Sequence, residues 1–217
     1  MIIKKPLIEV TFLRRYKRFL TDVELPSGEV VTVHCPNSGS MKGCDKPGAR
    51  AWISDSENPK RKLQYTLEFI DLGGALVCVN TQLPNHLVEE AIRTEVIQEL
   101  SGYSTIRREV KYGKENSRID LLLEEDERSC YVEVKNVTLG YDDGRAEFPD
   151  AVTTRGTKHL RELMEVVAQG DRAVLVFCVS RTDVQQMSPA DDIDPKYGAT
   201  LREAAKAGVE ILAYQCS

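Results

Sequence analysis

Two hydrophobic rhythms divide the chain. Up to about residue 82, apolar and polar residues alternate over short runs: LIEVTF, RFLTDVEL, EVVTVHC, ARAWIS, LQYTLEFI and ALVCVN. A period of two marks a strand with one buried face. The turn-forming stretches PSGE, PNSGSMKG, SENPK and LGG separate these runs. Five or six short strands in so little chain predict a small barrel of OB type. From LPNHLVEEAIRTEVIQELSGY onward the period becomes helical, with Asn85 as the expected N-cap and Gly102 as the stop. Leu87, Val88, Ala91, Ile92 and Val96 then share one stripe, and Glu95 and Glu99 fall inside it. Strand-like TIRREVKYG, RIDLLLE and CYVEVKNV follow. A polar loop, TLGYDDGRAEFPDAVTT, leads into the helical RGTKHLRELMEVVAQG. The buried strand AVLVFCV, the helix KYGATLREAAKAG and the strand VEILAY close the chain. The pattern predicts an α+β protein. A β-barrel spans residues 1–82, and an α/β domain of order α-β-β-β-α-β-α-β spans residues 83–217.

Three charged residues interrupt what should be a buried sheet. In RIDLLLE, Asp120 and Leu122 face one way and Ile119, Leu121 and Leu123 the other. In CYVEVKNV, Tyr131, Glu133 and Lys135 lie opposite Val132 and Val134. Joined by the acidic hairpin EEDERS, the two strands would bring Asp120, Glu133 and Lys135 to one face. Two carboxylates suit a hard divalent cation such as Mg²⁺ or Mn²⁺. A neighbouring lysine orients water or steadies charge on a phosphate. The plainer reading is two solvated strand faces, but LLL and YVEVKNV have the apolar density of core strands. A carboxylate inside an apolar helix stripe, such as Glu95 or Glu99, is costly unless paired or metal-bound, or unless that edge is wet.

Charge is uneven. Residues 1–82 hold 12 Lys+Arg against 9 Asp+Glu, a net of +3, whereas the whole chain is −5, leaving −8 for the remainder. A basic part that grips an anion and an acidic part that holds a cation is the division this suggests. In RRYKRF, Arg14, Arg15, Lys17 and Arg18 surround Tyr16 and Phe19. Basic residues interleaved with aromatics suit phosphate contacts and base stacking, though they also fit an ordinary solvated strand. The loop PNSGSMKG offers main-chain amides to a phosphate but lacks the ending of a nucleotide-binding P-loop. His34, Cys35 and Cys44 lack zinc-site spacing and are read as core and turn residues. The six cysteines, without CxxC spacing, are read as free thiols of a reducing compartment. MIIKKPLIEV has no secretory character and no apolar run could span a bilayer, so the expected location is the cytoplasm, away from membranes.

An Asp on one strand, Glu-x-Lys on the next and an acidic first helix resemble the restriction-endonuclease-like, or PD-(D/E)xK, nuclease fold. The chain more closely resembles the bacterial sugar fermentation stimulation protein A family. The resemblance is carried by RRYKRFLTDVEL, HCPNSGSMKGC, VCVNTQLPNHLVEEAI, ELSGY, EVKYG, SRIDLLL, CYVEVKNVTL, FPDAVTTRGTKHLREL and GVEILAY. It implies an OB-fold domain followed by a nuclease-like domain with a central mixed sheet. It also implies DNA binding with little sequence preference and a regulatory link to maltose and other sugar utilisation. Onto the nuclease pattern fall Asp120, Glu133 and Lys135, with Glu95, or Glu99 one turn on, at the acidic position of the first helix. The metal ligands it implies are Asp120, Glu133 and Glu95, with the Val134 carbonyl as a further one. Arg155, Lys158 and His159 at the start of RGTKHL would face phosphate. Ile119 stands where the pattern usually has Pro. Two functions stay open: a sequence-tolerant DNA-binding protein, or a Mg²⁺- or Mn²⁺-dependent nuclease. RNA as partner and the oligomeric state, a homodimer included, stay open too.

Overall fold

The computed structural model describes residues 5–113 and 117–216. The barrel strands are β1 (Leu7–Tyr16), β2 (Leu20–Glu24), β3 (Val30–His34), β4 (Arg50–Asp55), β5 (Tyr65–Asp71) and β6 (Leu76–Cys78). They run β3-β2-β1-β4-β5-β6, and a parallel β3–β5 contact at His34 and Thr66 closes the sheet in OB fashion. Irregularities at Phe12/Arg14 and Trp52/Ile53 help the strands to bend around the core. Alternate residues fill the barrel: Phe12, Val23, Val33, Ile53, Leu67 and Ile70 are fully buried. Cys35 and Cys44 lie in this core as free thiols, as the spacing predicts.

The second part comprises α1 (Leu83–Arg93), β7 (Thr105–Tyr112), β8 (Ser117–Glu125), β9 (Arg128–Val137), β10 (Leu139–Gly140), β11 (Arg145–Phe148), α2 (Thr154–Ala168), β12 (Arg172–Val179), β13 (Gln186–Pro189), α3 (Pro195–Lys206) and β14 (Glu210–Gln215). Its main sheet runs β14-β12-β9-β8-β7. β12 is parallel to β14 and β9, while β8 is antiparallel to β9 and β7. The sheet is therefore mixed. Helix α1 covers one face through Val88 and Ile92, over Leu121, Leu123, Val132 and Val176. Helices α2 and α3 cover the other, with Leu160, Leu163 and Leu201 over Leu122, Leu175 and Phe177. Buried on both sides, β12 reads as one apolar run. An 11-residue helix such as α1 is marginal alone. Burying Val88 and Ile92, at about 1.5–3 kcal/mol each, holds it in place.

Several local expectations are corrected. The N-cap position of helix α1 is Gln82, not Asn85, with no side-chain capping bond, and the helix stops at Arg93, so Gly102 does not end it. The chain then turns through Glu95 at φ +57°, and Ile97 and Leu100 drop into the core. Burial of those two side chains overrides the helical pattern that would have continued. The polar stretch after β9 is not all loop: β10, β11 and β13 form a three-stranded sheet. Lys17–Phe19 form a turn, so the second strand begins at Leu20. The alternation in β8 breaks at Asp120. Ile119 packs with Leu122 beneath α2, not with Leu121 and Leu123 beneath α1. The break coincides with an irregularity opposite on β7, where Glu109 adopts φ +54° and the Asp120–Glu109 pairing is missing from the ladder.

The two parts are stitched together. Val77 of β6 bridges Arg181, Cys78 N donates to Ser180 O at 2.8 Å, and Leu76 N to Thr182 Oγ1 at 3.1 Å. Arg181 is 4% exposed and donates to Thr138 O and to both oxygens of Asp183. Among the described residues no helix is long and apolar enough to cross a membrane.

Candidate metal centre in the interdomain cleft

Strands β8 and β9 pair from Glu125–Arg128 down to Leu121–Val132, and there the ladder ends. Beyond it β8 stays with β7 and β9 with β12. Asp120 and Glu133 are the first residues past the split. The freed Val134 N–H is taken by the Asp120 side chain, at 2.7 Å to Oδ2. In an extended strand the N–H and C=O of one residue point the same way. The Val134 carbonyl therefore also faces the gap. The other Asp120 oxygen, Oδ1, accepts from Asn85 Nδ2 at 2.8 Å. Asn85 lies within the first turn of α1, past the N-cap position at Gln82.

Glu133 is 2% exposed and reaches the first turns of α2. Its Oε1 accepts from Lys135 Nζ at 2.5 Å and from His159 Nδ1. Arg155 Nε donates to His159 Nε2 at 3.3 Å, which makes Nε2 the acceptor and leaves the proton on Nδ1. The other oxygen, Glu133 Oε2, is buried without a hydrogen-bond partner. Helix α2 is positioned by Thr153, whose Oγ1 accepts from Gly156 N at 3.0 Å. Asp194, the cap of α3, also takes Thr153 N at 2.8 Å.

Burial and the neighbouring Glu133 push the Asp120 carboxyl up to about 6, against the Val134 amide, Lys135 and Asn85. Burial also acts to raise Glu133, but Lys135 and the His159 hydrogen bond hold it below the usual carboxylate range. Two carboxylates in one cleft are thus kept apart in proton affinity.

The cleft has a volume of about 550 Å³. It brings together Asp120, Glu133, Lys135, His159, Arg155 and, from the barrel, Arg18. Glu95 is not among them: it is exposed in the turn after α1. Glu99 is equally remote and accepts from the Tyr214 hydroxyl at 2.6 Å. Neither supplies an acidic group to the site. Lys158 lies on α2 outside the lining. The basic cluster is split. Arg14 pairs with Asp22 at 2.8 Å and stacks over Tyr16, whose hydroxyl also donates to Asp22. Arg15 donates to the carbonyls of Asn37, Gly39 and Ser40. Lys17, Arg18 and Phe19 stand outward in the turn. Three amides of the loop PNSGSMKG are already taken within the protein. Met41 N donates to Asp150 Oδ2, Gly39 N to Asn37 Oδ1, and Lys42 N to Ser40 Oγ.

Sequence reasoning missed Asn85 and the Val134 amide as partners of Asp120, and Asp150 as the partner of the barrel loop. Pro84 in the first turn was the available sign that α1 begins before Asn85. It also passed over Glu162, one turn beyond His159. Glu162 is 2% exposed with neither carboxylate oxygen partnered, and lies outside the cleft lining. Among the described residues no group of three or more His, Cys, Asp or Glu side chains is placed to hold a metal ion. Asp120, Glu133 with its unpartnered Oε2, and the Val134 carbonyl offer only oxygen, the donor type a hard cation takes.

Over residues 82–217 the chain matches the sugar fermentation stimulation protein RE domain, and over residues 13–79 the SfsA N-terminal OB domain. The chain belongs to the sugar fermentation stimulation protein family. It is 60% identical over 207 residues to the sugar fermentation stimulation protein homolog of Thioalkalivibrio sulfidiphilus, covering 95% of this chain and 87% of that protein. The homolog from Teredinibacter turnerae is 61% identical over 218 residues, covering 100% and 93%. The solved structure of Pyrococcus furiosus SfsA in complex with Ca²⁺ superposes with a TM-score of 0.89 at 30% identity, covering 99% of this chain and 90% of that one. These family members match both parts of the chain, so the OB barrel and the endonuclease-like domain belong together.

Proposed function

We propose that this chain binds DNA without sequence preference at the interdomain cleft and hydrolyses phosphodiesters there with Mg²⁺ or Mn²⁺. The observation that carries the reading is the meeting of Asp120 and Glu133 with Lys135 at the split between β8 and β9, with Glu133 Oε2 left unpartnered. The Pyrococcus furiosus relative solved with Ca²⁺, another oxygen-seeking cation, supports it. Asp120, Glu133 and the Val134 carbonyl would hold the ion. Bound there, it would polarise a phosphoryl oxygen and make a water more acidic. Lys135 Nζ has three protons, and one satisfies Glu133 Oε1. The others are available to orient an attacking water or to meet a phosphate oxygen. His159 fixes the Glu133 rotamer through Nδ1–H and is itself fixed by Arg155. Arg155 from α2 and Arg18 from the barrel would supply positive charge to the backbone.

A second reading keeps DNA binding, and through it a regulatory role in maltose and other sugar utilisation, without hydrolysis. It is favoured by one observation: Lys135 already balances the charge of Glu133. Labelled DNA and RNA incubated with Mn²⁺ separate the two. Hydrolysis predicts metal-dependent products, reduced roughly 100-fold or more in Lys135→Ala with binding retained. Intact substrate under saturating binding would leave only the second reading.

A further inference from the structure

The cleft is lined from both domains and is about half open to solvent. Asp120, Glu133 and Lys135 form its floor, and the start of α1 and the segment before α2 form its sides. Asn37, Ser38 and Gly39 of the barrel form its roof, with Arg18 at the rim. The roof is fixed. The Arg15 guanidinium holds the carbonyls of Asn37 at 2.8 Å, Gly39 at 2.9 Å and Ser40 at 3.2 Å. From the other domain, Asp150 accepts from Met41 N at 2.9 Å, and its carbonyl accepts from Ser40 Oγ at 2.7 Å. Gly39 packs so closely on Asp150 that a Cβ there would sit 2.5 Å from its carboxylate.

A space of about 550 Å³ falls in the range of pockets that enclose one small ligand, on the order of one or two nucleotides. A duplex is far larger: its major groove alone is about 12 Å wide. Glu133 is 2% exposed, which favours a thin strand over a duplex for bringing a phosphate up to it. A second observation concerns the turn that carries Arg18. Phe19 is 43% exposed, follows Arg18 directly and stacks on His34, with ring centroids 6.4 Å apart and planes 19° from parallel. Lys17 and Arg18, at φ 46° and 66°, shape the turn that carries it. An exposed aromatic beside an arginine is a platform for an unpaired base. A paired base inside a duplex has no free face to offer it.

We infer that the strand entering this cleft is single. It lays a base on Phe19, passes Arg18 and delivers one phosphate to the Asp120–Glu133 floor, so duplexes engage only through frayed or overhanging ends. The delivery step rests on the hydrolytic reading above; the strand preference does not. The test uses the full-length chain with one sequence as a single strand, a blunt duplex and a duplex with an overhang. Binding is measured without metal and cutting with Mn²⁺. The single strand and the overhang should bind at least about tenfold more tightly than the blunt duplex. Phe19→Ala should weaken single-strand binding roughly 5- to 150-fold, the span of base–aromatic stacking, and leave Mn²⁺ affinity unchanged. Equal binding of single strand and blunt duplex, or single-strand binding unaltered in Phe19→Ala, would overturn the inference. If nothing is cut, hydrolysis fails while the binding comparison still decides strand preference.

Discussion

Among single residues, Asp120 carries the plainest electrostatic conflict. The proposed cation site needs its charge, yet burial and Glu133 raise its carboxyl from 3.8 to about 6. The folded chain therefore holds this proton more tightly than the unfolded chain does. The resulting stability is fully present below about pH 4 and lost as pH rises through about 6, by roughly 3 kcal/mol in metal-free protein. Asp120→Asn removes that titration and keeps an acceptor for Val134 N. In a metal-free melting series the variant should unfold at a higher temperature than wild type above pH 7, with the gap closing toward pH 4. A gap that does not change with pH would contradict this account of Asp120. The charged residues themselves were legible in the sequence, because a strand with one buried face alternates and Asp120, Glu133 and Lys135 stand out against it. Their partners were not. Asn85 and the Val134 amide matter only because two strands part at that level, and nothing local in the chain marks the parting.

The elements explain why the site lies where it does. β8 and β9 separate because each keeps its other neighbour, and the separation frees main-chain groups that Asp120 then engages. Asp120→Ala should leave the Val134 amide without its acceptor. Hydrogen exchange should quicken at Val134 by tenfold or more, about 1.4 kcal/mol of lost protection, while β9 amides bonded to β12 keep theirs. Unchanged exchange at Val134 would mean that the carboxylate does not close the end of the ladder. Strand and helix identities followed well from periodicity wherever one face was buried. Periodicity misled at the end of α1, where AIRTEVIQEL has neither Gly nor Pro. There the core's demand for Ile97 and Leu100 turns the chain and carries Glu95 out to solvent. It also missed β10 and β11, whose partners come partly from the distant β13.

On the scale of the whole molecule, neither part makes the site alone. The endonuclease-like domain supplies the carboxylates, and the barrel supplies Arg18 and the roof. The β6–Arg181 seam and the Asp150 contact hold them in register. The uneven charge, +3 in residues 1–82 and −8 beyond, gives the barrel the greater attraction for a polyanion and the second domain that for a cation. The central claim is that the cleft holds a divalent cation on Asp120 and Glu133. Calorimetric titration of Mn²⁺ into wild type and Asp120→Ala at pH 7.5 tests it directly. The account predicts saturable binding in the wild type that the variant loses, and wild-type affinity that weakens about tenfold per pH unit below about 6, where Asp120 takes up its proton. Equal Mn²⁺ binding in both proteins, or none in either, would contradict it.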